Sequence, residues 1–389
     1  MNHAYLQKAA KVFIMICLFL NILLLAGCWD RVEINDLALV LAAGIDRAKD
    51  GRIELSVQLA MPKALGGGGK ENNRSSSKST IVVEATGITI FDAMSRLQAK
   101  LSRRISWGHN QAIVFGKRIA EEGIRNHIDF ITRHPSPRMN AYVFVSKGKP
   151  VDILKVIPNL EQSSTDIMVE LTKFEAGISA TVMDLIQMLD SDAGAAALSW
   201  IDVEQEAENK LGIKLNGTAV FKGDKMVGQF YDKIFRGVIW FKRELQSIAV
   251  TIQPKNADGL ISFNLYRSRT ALLPKIQDGR WKIAVKNFME FEAVENETTL
   301  DLMDIDTTTE LEKQLEQKID RQILTTLTKV QKEMGADILD FAEAFHSKFP
   351  KEWAKAKAHW HEIFPNVNIE VVSKAYIRRP GLSTAPPTE

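Results

Sequence analysis

Leu37-Ala38-Leu39-Val40-Leu41-Ala42-Ala43-Gly44-Ile45 is a nearly continuous apolar run, long enough for a buried strand. The turn Lys49-Asp50-Gly51 comes next, and Ile53-Glu54-Leu55-Ser56-Val57-Gln58-Leu59 then alternates apolar and polar. The pair predicts a hairpin with one strand buried and its partner half exposed. A sheet therefore opens the folded part of the chain.

Upstream, Lys8 and Lys11 come before an apolar stretch of 14 residues, Val12 to Leu25, interrupted only by Asn21. A helix needs roughly 20 residues to cross a bilayer core, so the stretch is too short for a span. Basic, apolar and small residues in that order describe a secretory signal. The stretch ends in Leu25-Ala26-Gly27-Cys28-Trp29-Asp30, which resembles a bacterial lipobox. The resemblance implies that residues 1–27 are a cleaved lipoprotein signal peptide. Cys28 then becomes the first mature residue, with diacylglycerol on its thiol and an acyl chain such as palmitate on its amine. The mature chain would be tethered to the outer face of a membrane. Trp29-Asp30-Arg31 has two readings: a linker whose indole sits among headgroups, or a segment docked on a membrane-embedded partner.

The chain carries 50 Lys and Arg against 48 Asp and Glu; Lys8 and Lys11 leave with the signal, so the mature protein is formally neutral. It has no excess charge to draw nucleic acid or to form a polybasic membrane patch. Of its two cysteines, Cys17 leaves with the signal and Cys28 takes lipid. No thiol is left for a disulfide, a zinc site or a nucleophile.

Downstream the pattern predicts an α+β protein of two to three domains, each a mixed or antiparallel β-sheet flanked by helices. The first domain is assigned to 28–205 and contains a Gly- and Ser-rich flexible loop at 62–80. Gly69-Lys70 in that loop is not a phosphate-binding motif, because Ala64 and Glu71 hold the positions that need Gly and Ser or Thr. A strand is expected near Thr80 to Ala85. Thr89 and Asp92 then have capping-box spacing and open a helix through Ile90, Met94, Leu97 and Leu101. Arg96, Lys100, Arg103 and Arg104 are placed on its polar side, as a solvated face or as a contact for lipid headgroups or an acidic partner. A strand at Gln111 to Phe115, a helix at Ile119 to Ile131 and a strand at Ala141 to Val145 suggest a crossover in a mixed sheet. Two helices are expected in 150–190.

Residues 204–210 read as a solvated connector, which puts a domain boundary after 205. Residues 206–300 are then an antiparallel-sheet domain, opening with the hairpin Ile213 to Phe221, turn Lys222-Gly223-Asp224-Lys225 and a return strand. Residues 301–379 form a C-terminal helical domain. Leu311, Leu315, Ile319, Ile323, Leu327, Val330 and Met334 make one apolar stripe, Gly335 ends it, and a second helix runs from Asp337 to Lys348. Pro350 starts a short third helix, Val367 to Ile377 closes as a strand, and 380–389 is a loose tail.

The run from Cys28 to Asp46 is similar to the N-terminal signature of the Ger(x)C spore-germination lipoproteins, the C subunits of nutrient germinant receptors. Asn216 to Phe221, Arg236 to Trp240, Phe345 to Trp353 and Tyr376 to Arg379 resemble the same family. The resemblance implies a non-enzymatic subunit in the spore inner membrane, working with a polytopic and a transporter-like subunit. It implies no cofactor, and only Cys28 carries over as a functional residue.

The residues themselves offer little chemistry. His359-Trp360-His361-Glu362 fails the zincin pattern, since Phe364 and Pro365 stand where the second His should fall. Asp301, Asp304 and Asp306 lack the turn Gly and distal Glu of a calcium loop, and Asp306 reads instead as the cap of the long helix. Two other classes stay in view. A lipid-anchored solute-binding protein of an importer would need two α/β lobes around a cleft. An extracytoplasmic hydrolase would need a nucleophile–base or metal constellation.

Overall fold

The structure is a computed structural model and describes residues 11–16, 36–61, 79–134, 138–157, 160–173, 177–207, 210–241 and 248–379. Cys28, Trp29-Asp30-Arg31, most of the loop expected at 62–80 and the tail 380–389 lie outside the described residues. The fold is α+β and is built on two sheets.

The first sheet takes β1 (Leu37–Arg47), β2 (Ile53–Ala60), β3 (Thr80–Gly87), β4 (Arg104–Ser106), β5 (Ala112–Gly116), β6 (Tyr142–Ser146), β7 (Ala195–Ala207), β8 (Lys210–Lys222) and β9 (Lys225–Tyr231). Their order is β3-β2-β1-β5-β6-β7-β8-β9, with β4 beside β1. The centre is parallel and both flanks are antiparallel. Six helices join the strands: α1 (Ile90–Gln98), α2 (Lys117–Glu122), α3 (Arg125–Arg133), α4 (Pro150–Leu154), α5 (Ser164–Lys173) and α6 (Val182–Asp190).

They cover both faces. Ala43, Ile113 and Val143 pack with α1, α2, α3 and α6, whereas their neighbours Ala42, Ala112 and Phe144 pack with α4 and α5. That is the period-two alternation of a strand resolved into two cores.

Double cover explains why β2 is not half exposed. Its polar positions Ser56 and Gln58 are buried under α4 and α5. Gln58 Nε2 donates to Leu154 O and Ser164 Oγ, both at 2.9 Å, and its Oε1 accepts from Thr165 Oγ1 at 2.6 Å. A buried amide with these partners avoids the desolvation cost of an unmade bond.

The helix expected over Ile119 to Ile131 is two helices, broken at Gly123. There φ is +127°, and a Cβ would stand 2.8 Å from Asp224 Oδ2 in the β8–β9 turn. Among the described residues, the region 150–190 holds three helices rather than two.

Of the expected connector at 204–210, residues 204, 205, 207 and 210 pair in the β7–β8 ladder, and the boundary after 205 would cut that paired sheet. An exposed hairpin arm carries the same polar composition as a linker. Glu204, for example, is exposed and pairs with Lys214 at 3.0 Å. The strands β8 and β9 accordingly belong to the first sheet, not to the second unit.

α7 (Asp232–Ile239) leads into the second sheet, ordered β10 (Ala249–Ile252), β11 (Ile261–Gln277), β12 (Arg280–Asn296) and β13 (Asn368–Arg379). β11 and β12 form one hairpin of two 17-residue strands, turned at Asp278 and Gly279. β13 joins β12 in parallel. The sheet is therefore mixed.

α8 (Ile305–Leu327) lies across the sheet and runs on as a π-helical stretch, Thr328–Met334, until Gly335 adopts φ +59°. Asp304, rather than Asp306, is its cap: Asp304 Oδ2 accepts from Thr307 N at 2.8 Å. The predicted stripe from Leu311 to Val330 is buried in one core with Phe263, Val285 and Phe291. Residues 206–300 and 301–379 thus share a core instead of standing as two units. α9 (Phe341–Lys348), α10 (Pro350–Ala356) and α11 (Trp360–Ile363) complete it.

α8 also meets both edges of the sheet. Glu316 Oε1 accepts from Ala375 N at 3.2 Å and Glu312 Oε1 from Ile377 N at 2.8 Å, both on edge strand β13. On the opposite flank, Lys318 Nζ donates to Thr251 O on edge strand β10. Backbone groups that would template pairing with another chain are capped.

α7 crosses α8 at Gly237, where a Cβ would stand 1.9 Å from Thr326 Oγ1 and 2.5 Å from Gln322 O. The close approach lets Thr326 Oγ1 donate to Ile234 O at 2.8 Å and Trp240 Nε1 to Gln322 Oε1 at 3.1 Å. Gly237→Ala is expected to lower stability by about 1–3 kcal/mol, since a methyl must displace backbone there. Urea unfolding checks this, and an unchanged or raised midpoint would refute the tight crossing.

Candidate functional site

Chemistry-bearing side chains gather where the first sheet meets the helical end of the second unit. A cavity of about 320 Å³ lies between Ser191–Gly194 before β7, the β8–β9 turn at Lys222 and Gly223, the Gly335–Asp337 corner and α11. Asp337 forms its wall. Gly335 ends the π-helical stretch in the left-handed region, which swings the chain around so that Asp337 sits under the start of α9.

Asp337 Oδ1 accepts from Leu339 N and Phe341 N, each at 3.2 Å; Oδ2 accepts from Ala342 N at 2.7 Å and from Trp360 Nε1 at 3.0 Å. It caps the helix expected to begin at Asp337, which starts instead at Phe341. Complete burial pushes the carboxyl up to about 6, while the amide donors and the indole pull the other way. With four donors already engaged, its role is to bind helix to indole, not to abstract a proton.

Around it stand Phe341, Phe345, Trp353, Trp360 and Phe364, with Trp281 from β12. The ring centroids lie 4.7 Å apart for Trp281–Phe345 and 5.0 Å for Trp353–Trp360. Such contacts are worth about 0.5–1.5 kcal/mol each beyond burial.

At the mouth, His346 Nδ1 is hydrogen-bonded to Asp192 Oδ2, and its ring stacks on Trp353 with centroids 5.9 Å apart. Glu343 joins them: one ligand atom from each of Asp192, Glu343 and His346 lies within 4.8 Å of the others. Among the described residues these are the groups close enough to share a metal ion. Here they form a polar contact between the two units.

Of the residues singled out from sequence, His361 lines this cavity, and the others do not converge on it. His359 and His361 are exposed and face Glu362, at 3.6 and 3.4 Å. The basic face also disperses. α1 ends at Gln98, so Lys100, Arg103 and Arg104 lie beyond it, and Arg104 enters β4. Arg96 pairs with Asp92 at 3.0 Å, and Lys100 Nζ donates to Glu84 O at 2.6 Å. The Thr89 cap does form, accepting from Asp92 N at 3.1 Å. Sequence reading missed Asp192 because its partner is 154 residues away. It came nearest to Asp337, two positions past the stop at Gly335.

Two family models cover most of the chain. Residues 30–203 match the spore germination protein N-terminal domain, and residues 216–381 match the spore germination B3/GerAC-like C-terminal domain. The chain belongs to the Ger(x)C family. It is 25% identical to spore germination protein KC of Bacillus subtilis, over 97% of each chain. To spore germination protein B3 of the same organism it is 23% identical, over 94% of this chain and 96% of the other.

The crystal structure of the GerBC protein shares the fold, with a TM-score of 0.58 at 18% identity, covering 87% of this chain and 97% of that one. The joint between the two Ger(x)C domain models falls within the β7–β8 hairpin. The family-like stretch Phe345 to Trp353 supplies Phe345 and Trp353 of the aromatic cluster and the His346 contact.

Asp337→Asn is expected to cost about 1–3 kcal/mol, because its amide nitrogen would face N–H donors. A raised folded pKa means that the folded state holds the proton more tightly between about 4 and 6. The contribution of Asp337 to stability is then largest below pH 4 and falls as pH rises through 6, by at most about 3 kcal/mol. Urea midpoints at pH 4 and pH 7 check this. The pH dependence should be weaker in the variant by that amount; identical pH dependence would contradict it.

Proposed function

We propose that this chain is the lipid-anchored, non-enzymatic C subunit of a spore inner-membrane nutrient germinant receptor, acting in germination beside polytopic and transporter-like subunits. The observation that carries the reading is the match of both Ger(x)C domains, in order, along nearly the whole chain. Among the described residues no helix is long and apolar enough to cross a membrane. In this reading the attachment is Cys28, whose lipobox setting supplies two or three acyl chains; a single chain binds only reversibly.

The neutral mature charge fits a subunit placed by lipid and protein contacts rather than by a polybasic patch. The alternative of a solute-binding protein for an importer finds less support. Its second lobe would be strand–helix repeats, whereas β10 to β12 form an antiparallel run before α8.

Two measurements test the reading. Wild-type chain should incorporate an alkynyl palmitate in its host, and Cys28→Ala should incorporate none; equal labelling would remove Cys28 as the anchor. Tagged chain purified from host spore membranes should bring down a transporter-like and a second polytopic protein in fixed ratio. Recovery of importer components, or of this chain alone, would overturn the receptor reading.

A further inference from the structure

The two long flanks of α8 are treated differently. On the β13 side its acids are engaged: Glu312 and Glu316 accept edge N–H groups, and Glu316 also lies 3.6 Å from Lys374. On the other side, a groove of about 800 Å³ opens between α8, α7 and the segment after β10. Arg236 enters it from α7, Lys255 from that segment, and Lys318 and Arg321 from successive turns of α8. Among the described residues no carboxylate lines it.

Among the described residues, Arg236, Lys255, Lys318 and Arg321 make no ion pair, although exposed cations elsewhere commonly do, as Arg47 with Glu122 at 2.7 Å and Arg378 with Glu290 at 3.0 Å. The remaining polar capacity points the same way. Lys318 Nζ uses one hydrogen on Thr251 O, and Arg321 Nε donates to Gln317 O at 3.1 Å, which leaves its two terminal nitrogens. The Gln322 carbonyl accepts from Trp240, so its amide N–H groups are the free end. Burial holds the Lys318 ammonium below its usual range, and Arg236 and Arg321 add to that. Arg236 and Arg321 are close enough to Lys318 to repel it, and a bound anion would relieve that repulsion.

We propose that this groove binds a phosphate group, held by Arg236, Lys255, Lys318 and Arg321. Guanidinium forks match phosphate oxygens in pairs, and ammonium groups add compact charge. Uncompensated cations in a concave, partly desolvated setting favour such an oxyanion over a flat solvated face. The phosphate belongs to a free small anion or to the headgroup of an anionic phospholipid, and the experiment separates the two. Neither source depends on which proteins accompany the chain.

The test uses the full chain in a non-ionic detergent and titration calorimetry with three probes. They are inorganic pyrophosphate, soluble short-chain phosphatidylglycerol and its phosphatidylcholine counterpart. Saturable binding of pyrophosphate identifies a free anion; binding of phosphatidylglycerol without pyrophosphate or phosphatidylcholine identifies a headgroup. In either case Lys255→Gln/Arg321→Gln, both on exposed positions, should weaken binding about tenfold or more.

Lys351→Gln/Lys355→Gln removes the same charge from exposed positions on α10 and should leave affinity unchanged. Added salt should weaken binding to wild type. Absence of binding by both anionic probes overturns the proposal. So does a groove variant that binds as tightly as wild type, or an α10 variant that loses as much.

Discussion

One helix holds the second half of this molecule together. The apolar stripe of α8 packs on one face of a four-stranded sheet, and its polar flanks meet the sheet's two edges. The chemistry of each flank matches the edge it meets. Carboxylates accept the outward N–H groups of β13, and an ammonium donates to an outward carbonyl of β10. A small sheet with two long strands would otherwise expose pairing sites for a neighbouring chain. Because Gly237 lets α7 lie close against α8, the start of the second unit is pinned to the same post.

The first half solves a different problem. Its sheet is parallel at the centre and covered on both faces, so the strands there are apolar throughout and their few polar groups need internal partners. Gln58 shows how: one side chain ties β2 to α4 and α5 through four hydrogen bonds. The β7–β8 hairpin then carries the sheet past the point where composition suggests a break. The two halves meet through the β8–β9 turn, the Asp192–His346 contact and the cavity beside Asp337.

That meeting place is structural in its chemistry. Asp337 spends its lone pairs on amide and indole donors, and the aromatic rings beside it are packed against one another. The two units are joined there by the Asp192–His346 contact, and the aromatic cluster stiffens the second unit's side of it. The groove on the far flank of α8 is the contrasting surface, with cations in excess and, among the described residues, no carboxylate.

Much of the architecture was legible from sequence, because it rests on local periodicity. The stripe from Leu311 to Met334, the strands β1, β5, β6 and β8, the Thr89 cap and the stop at Gly335 each show within a few turns of chain. The family signature at Cys28 to Asp46 was equally local. What sequence could not decide involved partners far away in the chain. Gln58 looked exposed because the helices that bury it come about a hundred residues later. The stretch 204–210 read as a linker because an exposed strand end, such as residues 204 and 205, shares its composition with a loop. Asp192 with His346, Glu312 and Glu316 with β13, and the four cations of the groove acquire meaning only when the chain closes on itself. Hydrophobic pattern is written in neighbouring residues, whereas the pairing of polar groups depends on distances that only the tertiary fold sets.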